Sequence, residues 1–185
     1  MTQKTENNER FSLRQPPFDG GAPTAENDEY YMKKALELAK EAAAEGEVPV
    51  GAVALWSDGR IVGLGRNRRE GAKCALCHAE IEAINQANRT LGGWRLHKCT
   101  LYVTLEPCPM CAGAILNSRI PRLVYGAADG KAGAYGSVFN LNDLPLNHKT
   151  EVVAGVLEEE CAALLKDFFK DLRKKKEEEK GEKEA

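Results

Sequence analysis

The segment CALCHAEIEAI, residues 74–84, combines two cysteines, a histidine and a glutamate at the start of a predicted helix. Its first five residues form C-x-x-C-H, a pattern typical of c-type haem attachment. Cys74 and Cys77 can instead be read as half of a four-cysteine zinc site. His78 and Glu80 form H-x-E, in which a nitrogen ligand precedes a carboxylate by two residues. These three interpretations predict unrelated proteins, and the rest of the chain distinguishes between them.

A second cysteine pair lies further along the chain, in LEPCPMCAG, residues 105–113. Cys108 follows His78 by 30 residues (108 − 78), and both motifs fall at predicted strand-to-helix transitions. A cysteine at a helix start is favoured as thiolate, because the helix dipole and free amide groups stabilise negative charge. With Cys111 as a third ligand, tetrahedral Zn²⁺ keeps one position for water, as in catalytic sites. Glu80 is then placed to act as a base without binding the metal.

The combined pattern, H-x-E followed by P-C-x-x-C, is the signature of zinc-dependent nucleobase deaminases. Both halves occur here in order, so the match is more specific than a single C-x-x-C pair. The main alternative is a structural zinc site in a binding module without turnover, formed by Cys74, Cys77, Cys108 and Cys111. This alternative assigns no task to His78 and Glu80, and its two pairs are further apart than in usual zinc ribbons. The remaining cysteines, at 99 and 161, are expected to be buried apolar residues.

Composition and charge argue against several classes of protein. The 185-residue chain has 26 basic and 28 acidic side chains, and its net charge of −2 lacks the basic excess typical of nucleic-acid-binding domains. No apolar run approaches the roughly 20 residues that span a membrane, and the first 21 residues lack a secretory signal pattern. We therefore expect a cytoplasmic protein whose six cysteines are thiols or metal ligands. A c-type haem is disfavoured, since it is generally attached in an exported compartment.

The order of predicted helices and strands indicates an α/β fold, with a sheet between helix layers. Asn27 or Asp28 can cap a first helix that ends near Gly46, and Asp58-Gly59 favours a tight hairpin turn. Later helices are predicted near positions 78, 109 and 157, together with strands at TLYVTL, RLVYG and position 152. We predict a flexible tail over residues 1–27, one domain over 28–173, and a disordered charged tail over 174–185.

Several segments resemble the bacterial tRNA-specific adenosine deaminase family of the cytidine deaminase superfamily. They are EVPVGAV, HAEIEAI, WRLHKCTLYVTLEPCPMCAGAILNSRI, YGAADGKAGAYGS and LNHKTEV, and the resemblance covers roughly residues 28–173. It implies a cytidine-deaminase-like, three-layer α/β/α fold with a central mixed five-stranded sheet, usually in a homodimer. It also implies one Zn²⁺ per subunit, no organic cofactor, no membrane association, and a tRNA anticodon stem-loop as partner. The implied reaction converts the wobble adenosine to inosine.

The resemblance also implies roles for individual residues. His78, Cys108 and Cys111 match the zinc ligands, and Glu80 matches the residue that moves protons between the attacking water and the adenine. The positions that match contacts to the nucleoside or the anticodon loop are Val48, Asn67, Ala79, Asp129, Asn147 and His148. Several of these have simpler interpretations, such as core packing for Val48 and loop formation for Asp129. One segment departs from the family: Cys74-Ala-Leu-Cys77 replaces an Asp-Pro-Thr-Ala-like sequence before His78. The resemblance therefore does not predict the shape of that loop.

Three functions remain at this point. The first is deamination of the wobble adenosine in tRNA, which the long match through GAADGKAGAYGS and LNH favours. The second is deamination of free bases or nucleosides, such as cytosine or guanine, and the third is a non-catalytic zinc module. For the first function we also predict that Arg66, Arg68 and Arg69 lie near the entrance of the site, where they can meet RNA phosphates.

Overall fold

A mixed five-stranded sheet forms the centre of the protein. The computed structural model describes residues 23–184 and the side chains of residues 23–178. The strands are Gly51–Trp56 (β1), Ile61–Arg66 (β2), Cys99–Leu105 (β3), Arg122–Ala127 (β4) and Glu151–Val153 (β5). They lie in the order β2-β1-β3-β4-β5. β1 pairs antiparallel with β2 and β3, whereas β4 pairs parallel with β3 and β5.

Helices connect these strands and cover the sheet. They are Asp28–Ala44 (α1), Arg69–Ala72 (α2), Ala79–Leu91 (α3), Pro109–Asn117 (α4) and Glu158–Glu184 (α5). Short 3₁₀ turns occur at Ala25–Asn27 and Leu141–Asp143. Within residues 23–184, no helix is both long enough and apolar enough to cross a membrane.

The two faces of the sheet carry separate apolar clusters, and β3 contributes to both. Successive side chains of a strand point to opposite faces. Leu101 and Val103 pack with buried residues of α3 and α4, whereas Tyr102 packs with buried residues of α1 and with Cys161 of α5. The fold therefore has three layers, α/β/α. The predictions of an α/β fold and a central mixed five-stranded sheet are confirmed.

The structure describes the C-terminal end of the chain almost completely, but only a small part of the predicted N-terminal tail. The predicted N-terminal tail lies mostly outside the described residues, which begin at position 23. At the other end, α5 continues to Glu184, so residues 174–184 are helical rather than a disordered tail. The physical reason is the composition of this segment, because Lys and Glu have high helix propensity.

Asp28 has a different role from the predicted helix cap. Asn27 occupies the N-cap position of α1, and Asp28 is its first helical residue. The buried Asp28 carboxylate accepts two hydrogen bonds from Arg122, at 2.8 and 2.7 Å, and a third from the Tyr102 hydroxyl at 3.0 Å. The start of α1 is therefore tied to β4 by a bidentate ion pair and to β3 by the Tyr102 hydrogen bond, a geometry that a local sequence pattern does not reveal.

Glycines let α3 lie directly on the hairpin of β1 and β2. A Cβ atom at Gly65 would stand 2.0 Å from the carbonyl oxygen of Ala79, and one at Gly63 would stand 2.1 Å from that of Ala83. A Cβ atom at Gly51 would likewise stand 2.0 Å from the carbonyl oxygen of Ala35 in α1. No side chain fits at these distances. Because α3 begins immediately after His78, the contact at Gly65 also determines where that residue lies.

We expect Gly65→Ala to destabilise the protein by about 3 kcal/mol, since the new methyl group meets helix backbone that cannot rotate away. Chemical denaturation followed by circular dichroism measures this change. Gly93→Ala is the matched control, because a Cβ atom there meets no heavy atom within 4 Å and Gly93 lacks a positive φ angle. Equal stability of the two variants would contradict the close helix–strand contact.

Candidate active site

Three strand ends and one strand start meet at the same edge of the sheet. β1 runs antiparallel to both β2 and β3, so β2, β3 and β4 all point in the same direction. Asn67 follows β2, Cys108 follows β3 by three residues, and Asp129 follows β4 by two. Val48 precedes β1, which begins at this edge. Crevices beyond the carboxyl ends of strands are the usual ligand sites of α/β sheets.

Two helix N-termini point at this edge. His78 is the N-cap residue of α3 and Cys108 is the N-cap residue of α4, both with extended backbone angles. Pro109 occupies the first position of α4, where its missing N–H costs no helical hydrogen bond. The first-turn N–H groups of both helices make the site favourable for anionic groups such as thiolates.

The side chains of His78, Cys108 and Cys111 form a compact group. One donor atom from each lies within 4.8 Å of the others. The Nδ1 atom of His78 lies 3.7 Å from Cys108 Sγ and 3.5 Å from Cys111 Sγ. Metal–ligand bonds of about 2.05 Å to nitrogen and 2.3 Å to sulfur, meeting at a tetrahedral angle, place these atoms about 3.6 Å apart. The group therefore has the spacing and the donor types of a tetrahedral metal site.

Protons compete with a metal ion for the donor atoms of His78, Cys108 and Cys111. A hydrogen bond from the Cys111 thiol lowers the pKa of Cys108 to about 4, while the adjacent Cys108 sulfur raises the pKa of Cys111. The hydrogen bond with Cys108 also raises the pKa of His78. The first proton thus leaves Cys108, and a nearby cation is needed for Cys111 to ionise as well. A divalent metal bound here would supply that charge.

Glu80 lies beside this group without belonging to it. Its side chain is buried, with 4% of its surface exposed. Burial raises the pKa of Glu80 to about 7, so at neutral pH its carboxyl group can both accept and donate a proton. Proton-transfer groups work best when their pKa is near the operating pH. The structure therefore places a carboxyl group suited to acid–base chemistry next to the metal-ligand group, that is, His78, Cys108 and Cys111, which could hold a metal.

A cavity of about 230 Å³ opens onto these residues. Among the residues predicted to contact substrate, Val48, Asn67, Ala79 and Asp129 line it together with His78, Glu80 and Cys108. Val50, Arg69, Leu105, Glu106 and Ala132 complete the lining. Its walls are thus partly apolar, with a few polar groups near the metal-ligand group, as is usual for small-molecule sites.

Asn147 and His148 lie outside this lining. Asn147 is exposed and its Oδ1 accepts a hydrogen bond from Arg119 at 3.2 Å. The ring Nε2 of His148 lies 2.9 Å from the backbone oxygen of Ile120. Contact of these two residues with RNA stays a prediction. Of the three predicted entrance arginines, Arg69 lines the cavity, whereas Arg66 forms a 2.6 Å ion pair with Glu45.

The departure of the 74–77 segment from the family pattern leaves the ligand geometry intact. The segment forms a turn in which the Cys77 N–H donates to the Cys74 carbonyl at 3.2 Å. The Arg68 N–H donates to the Cys77 carbonyl at 3.0 Å, which ties the turn to the segment after β2. Neither thiol belongs to the group around His78 Nδ1. In residues 23–178, the four-cysteine alternative is therefore not the arrangement found.

Glu106 belongs to no motif in the sequence, yet this residue organises one wall of the cavity. Glu106 is 2% exposed, and its carboxylate accepts hydrogen bonds from the backbone N–H groups of Asp129, Tyr135 and Ser137, at 3.1, 2.9 and 3.1 Å, and from the Ser137 hydroxyl. The loop after β4 is thus wrapped around one carboxylate. The sequence feature that could have indicated this role is the position of Glu106, an acidic residue directly after the apolar strand TLYVTL.

Comparison with known proteins agrees with this geometry. The model of the MafB19-like deaminase family matches residues 26–173. A tRNA-specific adenosine deaminase from Bacillus subtilis (strain 168) is 52% identical over 150 residues, which cover 80% of this chain and 92% of that relative. The chain belongs to the tRNA-specific adenosine deaminase family. The cytidine-deaminase-like fold expected from the resemblance is thereby confirmed.

Solved structures of this family and of related deaminases share the fold. A tRNA:A34 deaminase, studied for A-to-I editing at the wobble position of transfer RNA, superposes with a TM-score of 0.71. It is 43% identical, and the match covers 74% of this chain and 99% of that one. A guanine deaminase from Nitrosomonas europaea gives a TM-score of 0.66 at 28% identity, covering 80% and 85% of the two chains.

We expect Glu106→Gln to destabilise this family member by about 1–3 kcal/mol at neutral pH, because an amide cannot accept all the hydrogen bonds of the carboxylate. Burial alone raises the pKa of Glu106, but the hydrogen bonds from Ser137 and the three backbone N–H groups outweigh it and hold the pKa below its ordinary value of 4.5. The stabilisation is therefore complete above pH 4.5 and is lost as the pH falls through the lowered pKa.

The measurement is urea denaturation of both proteins from pH 7 down to acid pH. The stability difference between wild type and Glu106→Gln is expected to shrink toward zero at the acid end. Glu37→Gln serves as the control, because Glu37 is an exposed residue of α1 that pairs with Lys34. A difference that stays constant over the whole pH range would contradict the role assigned to the Glu106 carboxylate.

Proposed function

We propose that this protein hydrolytically deaminates adenosine to inosine at the wobble position of tRNA anticodons. The observation that carries the proposal is the buried Glu80 carboxyl group next to the His78–Cys108–Cys111 group. Both lie in one cavity of a chain that is 52% identical to a tRNA-specific adenosine deaminase. The geometry of the site supports deamination as the reaction, and the relatives support tRNA as the substrate.

We assign one Zn²⁺ per subunit to His78, Cys108 and Cys111, because an imidazole and two thiolates suit this metal. When bound there, zinc supplies Lewis acidity that makes water a stronger nucleophile at neutral pH. Glu80 accepts the proton of the attacking water and donates it to a ring nitrogen of adenine, which makes C6 more electrophilic. A second proton passes through Glu80 to the departing amine, so that adenosine and water give inosine and ammonia.

The cavity favours a single flipped nucleoside. A volume of about 230 Å³ excludes a folded stem-loop, so the target base must leave the anticodon stack and enter alone. We assign Val48, Ala79 and Asn67 to the wall around that nucleoside, and Asp129 to the side formed by the loop after β4. Asn147 and His148, outside the lining, are proposed to meet flanking nucleotides of the loop.

We further propose that the protein works as a homodimer in the cytoplasm, where its tRNA substrate is found. Four large apolar side chains within residues 138–146 are exposed by 41% to 54%: Val138, Phe139, Leu144 and Leu146. Exposed apolar groups clustered in this way are typical of protein interfaces. We assign the deaminase domain to residues 28–173, and α5 extends beyond its end.

Deamination of a free base or nucleoside is the competing function. The likeness to a guanine deaminase supports it, but at 28% identity this is the more distant relative. The test is incubation of the purified protein with an adenosine-containing anticodon stem-loop, with guanine and cytidine as parallel substrates. We expect inosine in the RNA, detected by mass spectrometry after nuclease digestion, and no turnover of the two small molecules. Xanthine or uridine as the main product would overturn the proposal.

Glu80→Gln is expected to reduce kcat for the stem-loop by about 10²–10⁴-fold, the usual contribution of a general acid–base group. The amide has nearly the same shape but cannot take up a proton. Zinc content and thermal stability should stay close to those of the wild type. Wild-type kcat in this variant would remove Glu80 from the mechanism, and loss of zinc together with unfolding would indicate a structural role instead.

Metal content tests the ligand assignment separately from activity. We expect about one Zn²⁺ per chain in the wild type and most of it lost in Cys111→Ser, because a serine hydroxyl is a poor ligand for this metal. Cys77→Ser is the matched control: it removes a thiol next to His78 that lies outside the ligand group. Inductively coupled plasma mass spectrometry of the dialysed proteins gives the answer. Equal loss in both variants would favour a site that includes all four cysteines.

A further inference from the structure

Glu47 is a buried carboxylate between α1 and β1 that the mechanism above does not use. Only 2% of its surface is exposed, and in the described part of the chain no ion pair involves it. A buried carboxylate without a cationic partner is costly unless hydrogen bonds satisfy it. Its position beside the cavity wall raises the question of what these hydrogen bonds hold.

Three donors surround Glu47, and all of them belong to the segment after β2. The Nδ2 group of Asn67 donates to it at 3.3 Å. The backbone N–H groups of Glu70 and Gly71, in the single turn of α2, donate at 3.1 and 2.6 Å. Asn67 and Arg69, which lies next to these N–H groups, both line the cavity. One buried carboxylate therefore holds the segment that provides two polar side chains of the cavity wall.

The Glu47 side chain also determines which way the Asn67 amide faces, since it accepts a hydrogen bond from Asn67 Nδ2. An ionised carboxylate accepts hydrogen bonds but cannot donate them. The nitrogen of the Asn67 amide must then face Glu47, which turns the carbonyl oxygen Oδ1 to the other side. The oxygen and nitrogen of an amide have nearly the same shape, so only such a network distinguishes their two orientations. Among the described lining residues, Asn67 is the one side-chain amide.

We propose that Glu47 is a positioning residue for the deamination reaction: it fixes the orientation of the Asn67 amide and thereby the hydrogen-bonding group that Asn67 presents to the nucleoside. The inference rests on the proposed function, which places the nucleoside against this wall. Glu47 acts through Asn67 and does not touch the substrate, since it is absent from the cavity lining.

The test is a double-mutant cycle of Glu47→Gln and Asn67→Ala, measured as kcat/KM for the anticodon stem-loop. Glutamine keeps the size of Glu47 but can donate as well as accept, so it no longer selects one amide orientation. We expect Glu47→Gln to reduce kcat/KM about tenfold in the wild-type background, in line with the sensitivity of catalysis to small misplacements. In the Asn67→Ala background the same change should reduce kcat/KM clearly less, because the amide that Glu47 orients is gone and only its hydrogen bonds from Glu70 and Gly71 remain.

Glu37→Gln is the matched control, an exposed carboxylate in α1 that is expected to leave kcat/KM unchanged. Glu47→Asp is a second variant if Glu47→Gln does not fold; we expect the same pattern, because the shorter side chain no longer reaches the Asn67 amide, which already lies 3.3 Å from the Glu47 carboxylate. An equal loss in both backgrounds would show a merely structural role and overturn the proposal. Wild-type kcat/KM in Glu47→Gln would also overturn it.

A readout independent of turnover separates this inference from the proposed function. In a ¹⁵N-labelled protein, the side-chain amide protons of Asn67 report their hydrogen bond to the Glu47 carboxylate. We expect their chemical shifts to change in Glu47→Gln and to be unaffected by Glu37→Gln. A wild-type protein that leaves the stem-loop unmodified would overturn the function alone. Unchanged Asn67 signals in Glu47→Gln would overturn the positioning role, whatever the substrate.

Discussion

The convergence of two helix N-termini at one edge of the sheet is the constraint on which this site depends. His78 at the start of α3 and Cys108 at the start of α4 are thirty residues apart in sequence (108 − 78), yet their donor atoms lie 3.7 Å apart. This is possible because β1 pairs antiparallel with both β2 and β3, so that the segments following β2 and β3 leave the sheet at the same edge. The N–H groups of both helix N-termini then favour negative charge at this edge, which suits thiolates of Cys108 and Cys111.

Close backbone packing and buried carboxylates maintain this convergence. Gly65 allows the first turn of α3, which follows His78 directly, to rest on β2. The Glu106 carboxylate accepts hydrogen bonds from backbone N–H groups of the loop after β4, and the Glu47 carboxylate accepts them from the segment after β2. Each carboxylate is an acceptor for backbone N–H groups that no strand or helix partner satisfies. The polar interior of the protein is thus used to shape the loops that surround the cavity, while the apolar clusters on the two faces hold the layers.

The order of helices and strands followed from periodicity, turn residues and caps, because these features are local. Asp58-Gly59 does lie in the turn between β1 and β2, and His78 and Pro109 do mark the starts of α3 and α4. Asp28 was less predictable: a capping role is local, but its partners Arg122 and Tyr102 are 94 and 74 residues away. Residues 174–184 are helical although they are highly charged, because the helix propensity of Lys and Glu does not depend on burying a core.

The sequence by itself predicted the chemistry of the site, since H-x-E and P-C-x-x-C indicate donor atoms and a proton-transfer group through residue type and short spacing. It also determined the α/β class. Only the tertiary structure decided that Cys74 and Cys77 stay outside the ligand group, and that Glu47 and Glu106 shape the cavity wall. The reason is that these facts are distances between segments remote in the chain, and such distances arise from strand pairing and close helix–sheet contact rather than from any local pattern.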